Sequence, residues 1–326
     1  MSSLINACQN ALINNLALQP HERLLIITDS GKKHIADCFW LAGHEITNKV
    51  DRIEIPVPEH NGQEPEEAVR VRMQQADVIL MPLSGSLSWT LARKRASDGG
   101  ARIASMPHIT EATILRTFNL DYHKIHARVN RIDDLLDAAA TARILTKTGT
   151  DLHLDLTGRK GRGRKGGIYV KKGAWGNLPC GEAFIAPVEG RASGVYYVDA
   201  SHAGVGAVET PIGCEVKDGM VCDITGGAEA RQLAELLASI KDPNAYNIAE
   251  FGIGCNNGAE ICGITLEDEK VLGTCHVALG NNSYFGGAVD VAIHVDGVIK
   301  APTIFIDDRK VVEAGRMHPV LAGESE

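Results

Sequence analysis

The first candidates for chemistry are a histidine and an aspartate two positions apart, His294 and Asp296, inside the otherwise apolar residues 293–297. If this segment is a β-strand, both side chains lie on one face, because side chains at i and i+2 share a face. An imidazole nitrogen and a carboxylate oxygen held in this way can bind a divalent cation, with bonds of roughly 2.0–2.2 Å. The alternative is a histidine that is simply hydrogen-bonded to a surface aspartate.

Three further side chains have the chemistry of metal ligands. His276 lies among small residues before a Gly-Asn turn, where the backbone can approach a ligand closely. Glu182 and Glu250 both stand beside glycines and apolar residues, and a buried carboxylate needs a partner. With the pair above, these residues are the ligand set of a site in which two divalent ions activate a water molecule. Their spacing alone does not establish that the five side chains converge.

Five segments of the second half resemble the metalloaminopeptidases of the aminopeptidase T and aminopeptidase S family, in that family's order along the chain. These segments are Gly149-Thr150-Asp151-Leu152, Asn177-Leu178-Pro179-Cys180-Gly181-Glu182, Glu250-Phe251-Gly252-Ile253-Gly254, His276-Val277-Ala278-Leu279-Gly280 and His294-Val295-Asp296. The resemblance implies an N-terminal α/β domain and a homodimer. It also implies a metallohydrolase in which metal-activated water attacks an amide or peptide bond.

The resemblance also implies a set of site residues. The implied metal ligands are Glu182, Glu250, His276, His294 and Asp296. They would hold two divalent ions of Zn, Co or Mn. Glu182 and Glu250 are in addition candidates for catalysis, one of them moving the proton of the attacking water. The family has a catalytic tyrosine shortly after its His-x-Ala-Leu-Gly segment, and Tyr284 is the nearest candidate in this sequence, one position further along than in the family. Asn282 and Ser283 are the alternative occupants of that position.

The same scaffold is similar to the 2,5-dihydroxypyridine ring-cleaving dioxygenases, which use one non-haem Fe(II). His276, His294 and Asp296 would then form a facial triad of two histidines and one carboxylate, with open positions for substrate and oxygen. Such a triad does not need Glu182 or Glu250, so the sequence favours the dinuclear hydrolase over this alternative. A third hypothesis, a ligand-binding scaffold without catalysis, is disfavoured because all the candidate ligands are present.

A glycine-rich basic segment, residues 159–172, contains no acidic residue. It comes shortly before Glu182, so we expect Arg162, Arg164 and Lys165 to lie near the metals and to bind a substrate carboxylate. The composition of the segment by itself favours a solvated hairpin tip without a binding role. Binding to nucleic acid is disfavoured, because the segment has almost no interleaved aromatic residues and the chain is acidic overall.

The elements that must position these residues change character near residue 142. Residues 1–142 alternate helical periodicity with short apolar runs, which is typical of a Rossmann-like α/β domain with an open parallel sheet. Residues 143–326 contain short alternating strands separated by glycine turns, which predicts an α+β, largely antiparallel metal-binding domain. A helix is expected over residues 121–145 between them. No glycine-rich phosphate fingerprint follows the first strand, so no nucleotide site is predicted.

The composition limits the class of protein and its partners. The chain has 326 residues, with 33 Lys+Arg and 41 Asp+Glu, and a net charge of −8. It contains no run of about 18 apolar residues, which excludes a membrane-spanning helix. Its eight cysteines form no CxxC pair, and no secretory signal is visible, so we expect a cytoplasmic protein with reduced thiols. The expected partners are a small-molecule or short-peptide substrate and a second copy in a homodimer, without nucleic acid or a membrane.

Overall fold

The computed structural model describes residues 2–323, which fold as two compact units. The first unit combines the chain up to His123 with Gly167–Cys180, and the second combines Lys124–Gly166 with the chain from Gly181 onward. This division differs from the predicted boundary at residue 142, because a segment of the second half joins the sheet of the first unit.

The helices and strands follow one another along both units. The α-helices are α1 (Ser2–Asn10), α2 (Lys33–His44), α3 (Glu67–Gln75), α4 (Leu91–Asp98), α5 (Glu111–Thr117), α6 (Tyr122–Ala138), α7 (Ala228–Ser239), α8 (Thr265–Asp268) and α9 (Pro319–Ala322). Short π- or 3₁₀-helical turns occur at Ala11–Asn15, Ser30–Lys32, Pro243–Tyr246 and Ser283–Phe285. Over residues 2–323 no helix combines the length and the apolar character that crossing a membrane requires.

The strands are mostly short, and they alternate with the helices only in the first unit. They are β1 (Leu24–Thr28), β2 (Val50–Glu54), β3 (Val78–Leu83), β4 (Arg102–Pro107), β5 (Thr141–Leu145), β6 (Asp151–Asp155), β7 (Trp175–Asn177), β8 (Glu182–Ile185), β9 (Ser193–Val198), β10 (Ser201–His202), β11 (Gly206–Ala207), β12 (Ile212–Lys217), β13 (Met220–Thr225), β14 (Ile248–Gly254), β15 (Cys275–Gly280), β16 (His294–Ile299), β17 (Thr303–Ile306), β18 (Arg309–Glu313) and β19 (Arg316–Met317).

The first unit is built on a parallel sheet with the strand order β2-β1-β3-β4-β7. Every residue of β1 and β3 is buried, as expected for apolar strands covered by helices on both faces. Part of the core lies where Val69 and Met73 of α3 pack with Ile79 and Met81 of β3. The predicted parallel sheet is therefore confirmed. β7 pairs with the distant β4, and local periodicity gives no signal of such a pairing.

The second unit is antiparallel, as predicted. Its described residues form one sheet in the order β13-β12-β9-β6-β5-β17-β18-β19 and another in the order β11-β10-β16-β15-β14-β8, which we call the six-stranded sheet. The two sheets meet where β16 crosses β9, and a Cβ on Gly297 would lie 2.5 Å from Val198 Cγ2. Phe251, Ile253 and Val277 of the six-stranded sheet are fully buried. The chain is thus a mixed α/β protein with one parallel and two antiparallel sheets in its described residues.

The helix predicted over residues 121–145 is correct only in its first part. α6 ends at Ala138, and β5 begins three residues later. β5 pairs with β6 on one side and with β17 on the other. The alanines at 138–140 extend the helical pattern, but helix propensity is a weak preference that sheet pairing overrides.

Candidate metal centre

Four adjacent strands of the six-stranded sheet, β8, β14, β15 and β16, carry the predicted ligands. Ala278 lies opposite both Glu250 and Asp296, and Gly280 lies opposite His294. Paired residues share a face of the sheet, and the face alternates along each strand. This register therefore puts a single set of polar side chains on one face. They are Glu182, Glu250, His276, His294 and Asp296.

Glycine makes room for the first imidazole. Gly252 of β14 lies opposite His276 of β15, and a Cβ on Gly252 would stand only 2.0 Å from His276 Nε2. The ring of His276 therefore lies across the neighbouring strand in the space that the missing side chain leaves. A side chain at position 252 would force this ring away from the carboxylates.

The five side chains form two overlapping groups that can each hold a metal ion. Glu182, Glu250 and His276 form one group, and Glu250, His294 and Asp296 form the other, with the ligand atoms of each group within 4.8 Å of one another. Glu250 Oε1 lies 3.2 Å from His276 Nε2, and Glu250 Oε2 lies 3.4 Å from His294 Nε2. His294 Nε2 lies 3.6 Å from Asp296 Oδ1. The carboxylate of Glu250 is therefore shared by both imidazoles.

The two histidines are held differently. His294 Nδ1 lies 2.7 Å from the carbonyl oxygen of Asn281, and donation to that carbonyl leaves Nε2 facing Glu250 and Asp296, where it donates when protonated and can bind a metal ion when neutral. A backbone carbonyl commonly fixes a metal-binding histidine in this way. His276 Nδ1 is buried and has no hydrogen-bond partner in the described residues. Packing against Gly252, rather than a hydrogen bond to its outer nitrogen, orients the ring of His276.

The carboxylates make the site favour positive charge. Burial alone would lower the pKa of the His276 imidazole, but its hydrogen bond with Glu250 and the charge of Glu182 raise that pKa to about 9. Burial also opposes charge on His294, yet Asp296 and Glu250 raise its pKa well above the usual value. The imidazoles in turn hold the pKa of Asp296 below its ordinary value, although burial opposes this. A divalent cation would satisfy the same carboxylates.

The sequence did not indicate a buried lysine beside this cluster. The side chain of Lys270 is 1% exposed, its Nζ lies 2.6 Å from Glu182 Oε1, and it forms a second ion pair with Glu269. In the sequence, Lys270 ends a run of four charged residues, 267–270, a pattern that normally indicates a solvated surface. All four residues are buried in the structure. Lys270 therefore places a compensating positive charge directly beside Glu182.

Two phenylalanine rings border the cluster. The rings of Phe184 and Phe285 are 5.6 Å apart between centroids, and Phe285 lies at the same distance from the ring of His294, in both cases edge to face. Tyr284, the predicted catalytic tyrosine, is 59% exposed. The aromatic side chain that packs against a predicted ligand is therefore that of Phe285, one residue further along the chain.

The structure does not bring the three predicted substrate-binding residues of the basic segment together. Arg162 Nε lies 3.0 Å from the carbonyl oxygen of Phe285 and donates to it. Arg164 instead forms ion pairs with aspartates of α6, with Nη1 2.8 Å from Asp134 Oδ1. Lys165 is exposed. Of the three, Arg162 is the one in contact with the aromatic border of the cluster.

The comparison with known proteins shows the family to which this chain belongs. The family model for 2,5-dihydroxypyridine 5,6-dioxygenase matches residues 3–319, a span that includes all the cluster residues. This protein belongs to that family. A 2,5-dihydroxypyridine 5,6-dioxygenase from Pseudomonas putida is 28% identical over 205 residues, which are 58% of this chain. The match spans 57% of the length of that relative.

Two solved structures resemble the whole chain. The 2,5-dihydroxypyridine dioxygenase of Pseudomonas putida has a TM-score of 0.80 at 20% identity, over 98% of each chain. AmpT from Thermus thermophilus has a TM-score of 0.72 at 18% identity, over 97% of this chain and 99% of that one. At these identities the similarity shows the fold alone. The dioxygenase family and AmpT therefore share a scaffold, which accounts for the resemblance to both groups in the sequence.

The family corrects the main functional prediction. The expected aminopeptidase-like metallohydrolase, a peptidase acting on amide bonds, was wrong, because the family model and the curated relative are dioxygenases. The expectation of an enzyme family was correct. The hydrolase had been favoured because Glu182 and Glu250 were expected to serve a second ion. In the structure Glu182 is paired with Lys270, and Glu250 lies between the two imidazoles.

Proposed function

We propose that this dioxygenase family member is a mononuclear non-haem Fe(II) enzyme that cleaves the ring of a hydroxylated pyridine. The observation that carries the proposal is the family match over residues 3–319, which contains a converged cluster of imidazoles and carboxylates. The relative from Pseudomonas putida is a 2,5-dihydroxypyridine 5,6-dioxygenase, so 2,5-dihydroxypyridine is the first substrate to test.

The donor set fits a single iron ion. Two imidazoles and a carboxylate are the donors of the facial triad in non-haem Fe(II) oxygenases, and we assign these roles to His276, His294 and Asp296. Glu250 lies within 3.4 Å of both imidazoles and provides a second negative charge against the divalent ion. Bound Fe(II) supplies a redox-active cation that keeps coordination positions free for small ligands.

The protein's own residues prepare this site in three ways. The Asn281 carbonyl holds His294 with its Nε2 directed inward. Gly252 allows the ring of His276 to reach Glu250. Lys270 neutralises Glu182, which limits the excess negative charge around the ion. The rings of Phe184 and Phe285 supply an apolar border against which an aromatic ring can pack and from which water is excluded.

Metal content and oxygen uptake test the proposal together. Protein purified without a chelating tag should contain about one iron per chain, and should consume one O2 for each 2,5-dihydroxypyridine, with both oxygen atoms retained in the ring-opened product. His294→Ala should lose iron and oxygen uptake. His153→Ala is the matched control, because the side chain of His153 is 55% exposed on a different sheet. Iron-loaded protein that consumes no oxygen with this ring, or iron retained in His294→Ala, would contradict the proposal.

We also propose that the protein acts as a homodimer on a small-molecule substrate. The homodimer was expected from the aminopeptidase resemblance, whose scaffold this family shares. Sedimentation velocity of the iron-loaded protein should give the mass of two chains. A single-chain mass at micromolar concentration would exclude the dimer without affecting the assignment of the reaction.

A further inference from the structure

We propose that Arg162 forms a binding subsite for an anionic substituent, of the carboxylate class, on the aromatic ring of the substrate. This inference rests on the proposed ring-cleaving function. It names the substrate class more narrowly than the family does, because it predicts a ring that carries a negatively charged group away from its reacting hydroxyls.

The main chain of Arg162 is fixed against the strand that carries Glu182. The Arg162 amide donates to the carbonyl oxygen of Phe184 at 2.8 Å. Gly163 follows, and a Cβ at this position would lie 2.2 Å from the carbonyl oxygen of Glu182. Only glycine permits this close approach, which sets Arg162 at the edge of β8 beside the site.

The side chain of Arg162 is also fixed, at one end of its guanidinium. Nε donates to the carbonyl oxygen of Phe285 at 3.0 Å, and Nη2 would lie 3.1 Å from a Cβ on Gly286. Phe285 packs in turn against His294, with 5.6 Å between ring centroids. One residue, Phe285, therefore contacts the guanidinium of Arg162 through its carbonyl oxygen and a proposed iron ligand through its ring.

The charge of Arg162 is unmatched, unlike that of its neighbours in the basic segment. Arg159 forms an ion pair with Glu189, and Arg164 forms ion pairs with Asp134 and Asp137. Among residues 2–323, no carboxylate forms an ion pair with Arg162. Its Nη groups remain available as donors, although Nε and the main chain are held in place.

The chemistry of a positioned guanidinium points to a carboxylate. The N–H groups of arginine form a planar fork that matches a carboxylate in two parallel hydrogen bonds. Phe285 contacts Arg162 through its carbonyl oxygen and His294 through its ring, so we expect a substrate ring packed on Phe285 to reach the cluster at one end and Arg162 at the other. A hydroxylated ring with a carboxylate on its far side satisfies both ends.

Steady-state kinetics with two substrates tests the subsite. 2,5-Dihydroxypyridine and a 2,5-dihydroxypyridine that carries a ring carboxylate are compared in the iron-loaded protein and in Arg162→Met. We expect the KM for the carboxylated ring to rise about tenfold or more in Arg162→Met, because a charge-assisted hydrogen bond is lost. The KM for the uncharged ring should change less than about twofold, and Arg162→Lys should recover part of the loss.

Arg164→Met is the matched control, because Arg164 belongs to the same segment but pairs with aspartates of α6. It should leave both KM values unchanged. Equal KM changes for the two rings in Arg162→Met, or a wild-type protein that does not prefer the carboxylated ring, would overturn the subsite and leave the proposed function intact.

Titration calorimetry with pyridine-3-carboxylate separates the subsite from the reaction. If the enzyme turns over neither 2,5-dihydroxypyridine nor its carboxylated form, the proposed function is wrong. Binding of pyridine-3-carboxylate does not require turnover, so it still tests the role of Arg162. Tighter binding to the wild-type protein than to Arg162→Met supports the subsite. Equal binding excludes it.

Discussion

Gly252 and His276 face each other across the β14–β15 pairing, and the ring of His276 lies where a Cβ of residue 252 would be. The Cβ in Gly252→Ala would stand 2.0 Å from His276 Nε2, so the ring must turn away from Glu250. We expect the iron affinity to fall by about 10- to 100-fold, the range known for residues that orient metal ligands. Competition with a chromogenic chelator measures this affinity.

The control for Gly252→Ala is Gly190→Ala. Gly190 also lies in the second unit, and a Cβ added there meets no atom within 4 Å. Its positive φ of 76° makes alanine strained there, by about 1 kcal/mol. This variant therefore measures the cost of replacing a glycine where the new Cβ meets no other atom. Equal iron affinities in the two variants would show that the contact between residue 252 and the imidazole has no role.

The buried ammonium of Lys270 predicts a large effect on stability. In Lys270→Met, the carboxylates of Glu182 and Glu269 lose their common partner in a buried setting. Breaking a buried ion pair from one side costs about 3–5 kcal/mol, because a charge is left uncompensated. Urea unfolding of iron-free protein should show a lower free energy of unfolding by this amount. Lys310→Met, which removes an exposed pair with Glu313, should have little effect, and a similar loss in both variants would refute the argument.

The sequence predicted the parts of the site that depend on local pattern. The i, i+2 spacing of His294 and Asp296 was sufficient to place both on one face of β16, because strand alternation is a local property. Convergence with Glu182, Glu250 and His276 depends on the register of four strands, which spacing does not encode. The family resemblance named these residues, and only the structure shows that they meet on one face.

Other features could not be predicted because their signals are non-local or misleading. The charged run at residues 267–270 resembles a solvated surface, and only its tertiary contacts show that Lys270 is buried. β7 pairs with β4 across more than seventy residues of sequence, so periodicity assigned it to the second half. The predicted role of Tyr284 came from counting residues after a motif, whereas a short 3₁₀ turn at Ser283–Phe285 directs Phe285 to His294.

A buried carboxylate on α6 predicts a pH dependence of stability. Asp133 is 0% exposed, and within the described residues its carboxylate has no side-chain hydrogen-bond partner, while the backbone amide of Gly163 offsets its burial only in part. Burial raises the pKa of this carboxyl from 3.8 to about 7. Because the folded protein holds the proton to a higher pH than the unfolded chain does, the stability falls as the pH rises from about 4 to about 7. The loss is at most about 4 kcal/mol, at roughly 1.4 kcal/mol for each pKa unit.

Asp133→Asn removes this ionisation. The free energy of unfolding of the variant, relative to wild type, should therefore increase between pH 4 and pH 7 and become constant above that range. Urea unfolding at several pH values measures the difference. Asp134→Asn is the control, since the side chain of Asp134 is 70% exposed and pairs with Arg164. If the free energy of unfolding depends on pH in the same way for wild type and Asp133→Asn, the pKa of Asp133 is not raised in the folded protein.

Substitution of the adjacent residues Tyr284 and Phe285 tests which of the two aromatic side chains contributes to activity. Phe285 is 8% exposed and packs between Phe184 and His294, so Phe285→Ala removes both a border of the site and a support of a proposed ligand. We expect kcat/KM for 2,5-dihydroxypyridine to fall at least tenfold, since truncation of a packed phenylalanine commonly removes several kcal/mol of packing. Tyr284→Phe should keep kcat/KM within about twofold of wild type, because the side chain of Tyr284 is 59% exposed. A large loss in Tyr284→Phe, with little change in Phe285→Ala, would instead give the phenol a catalytic role.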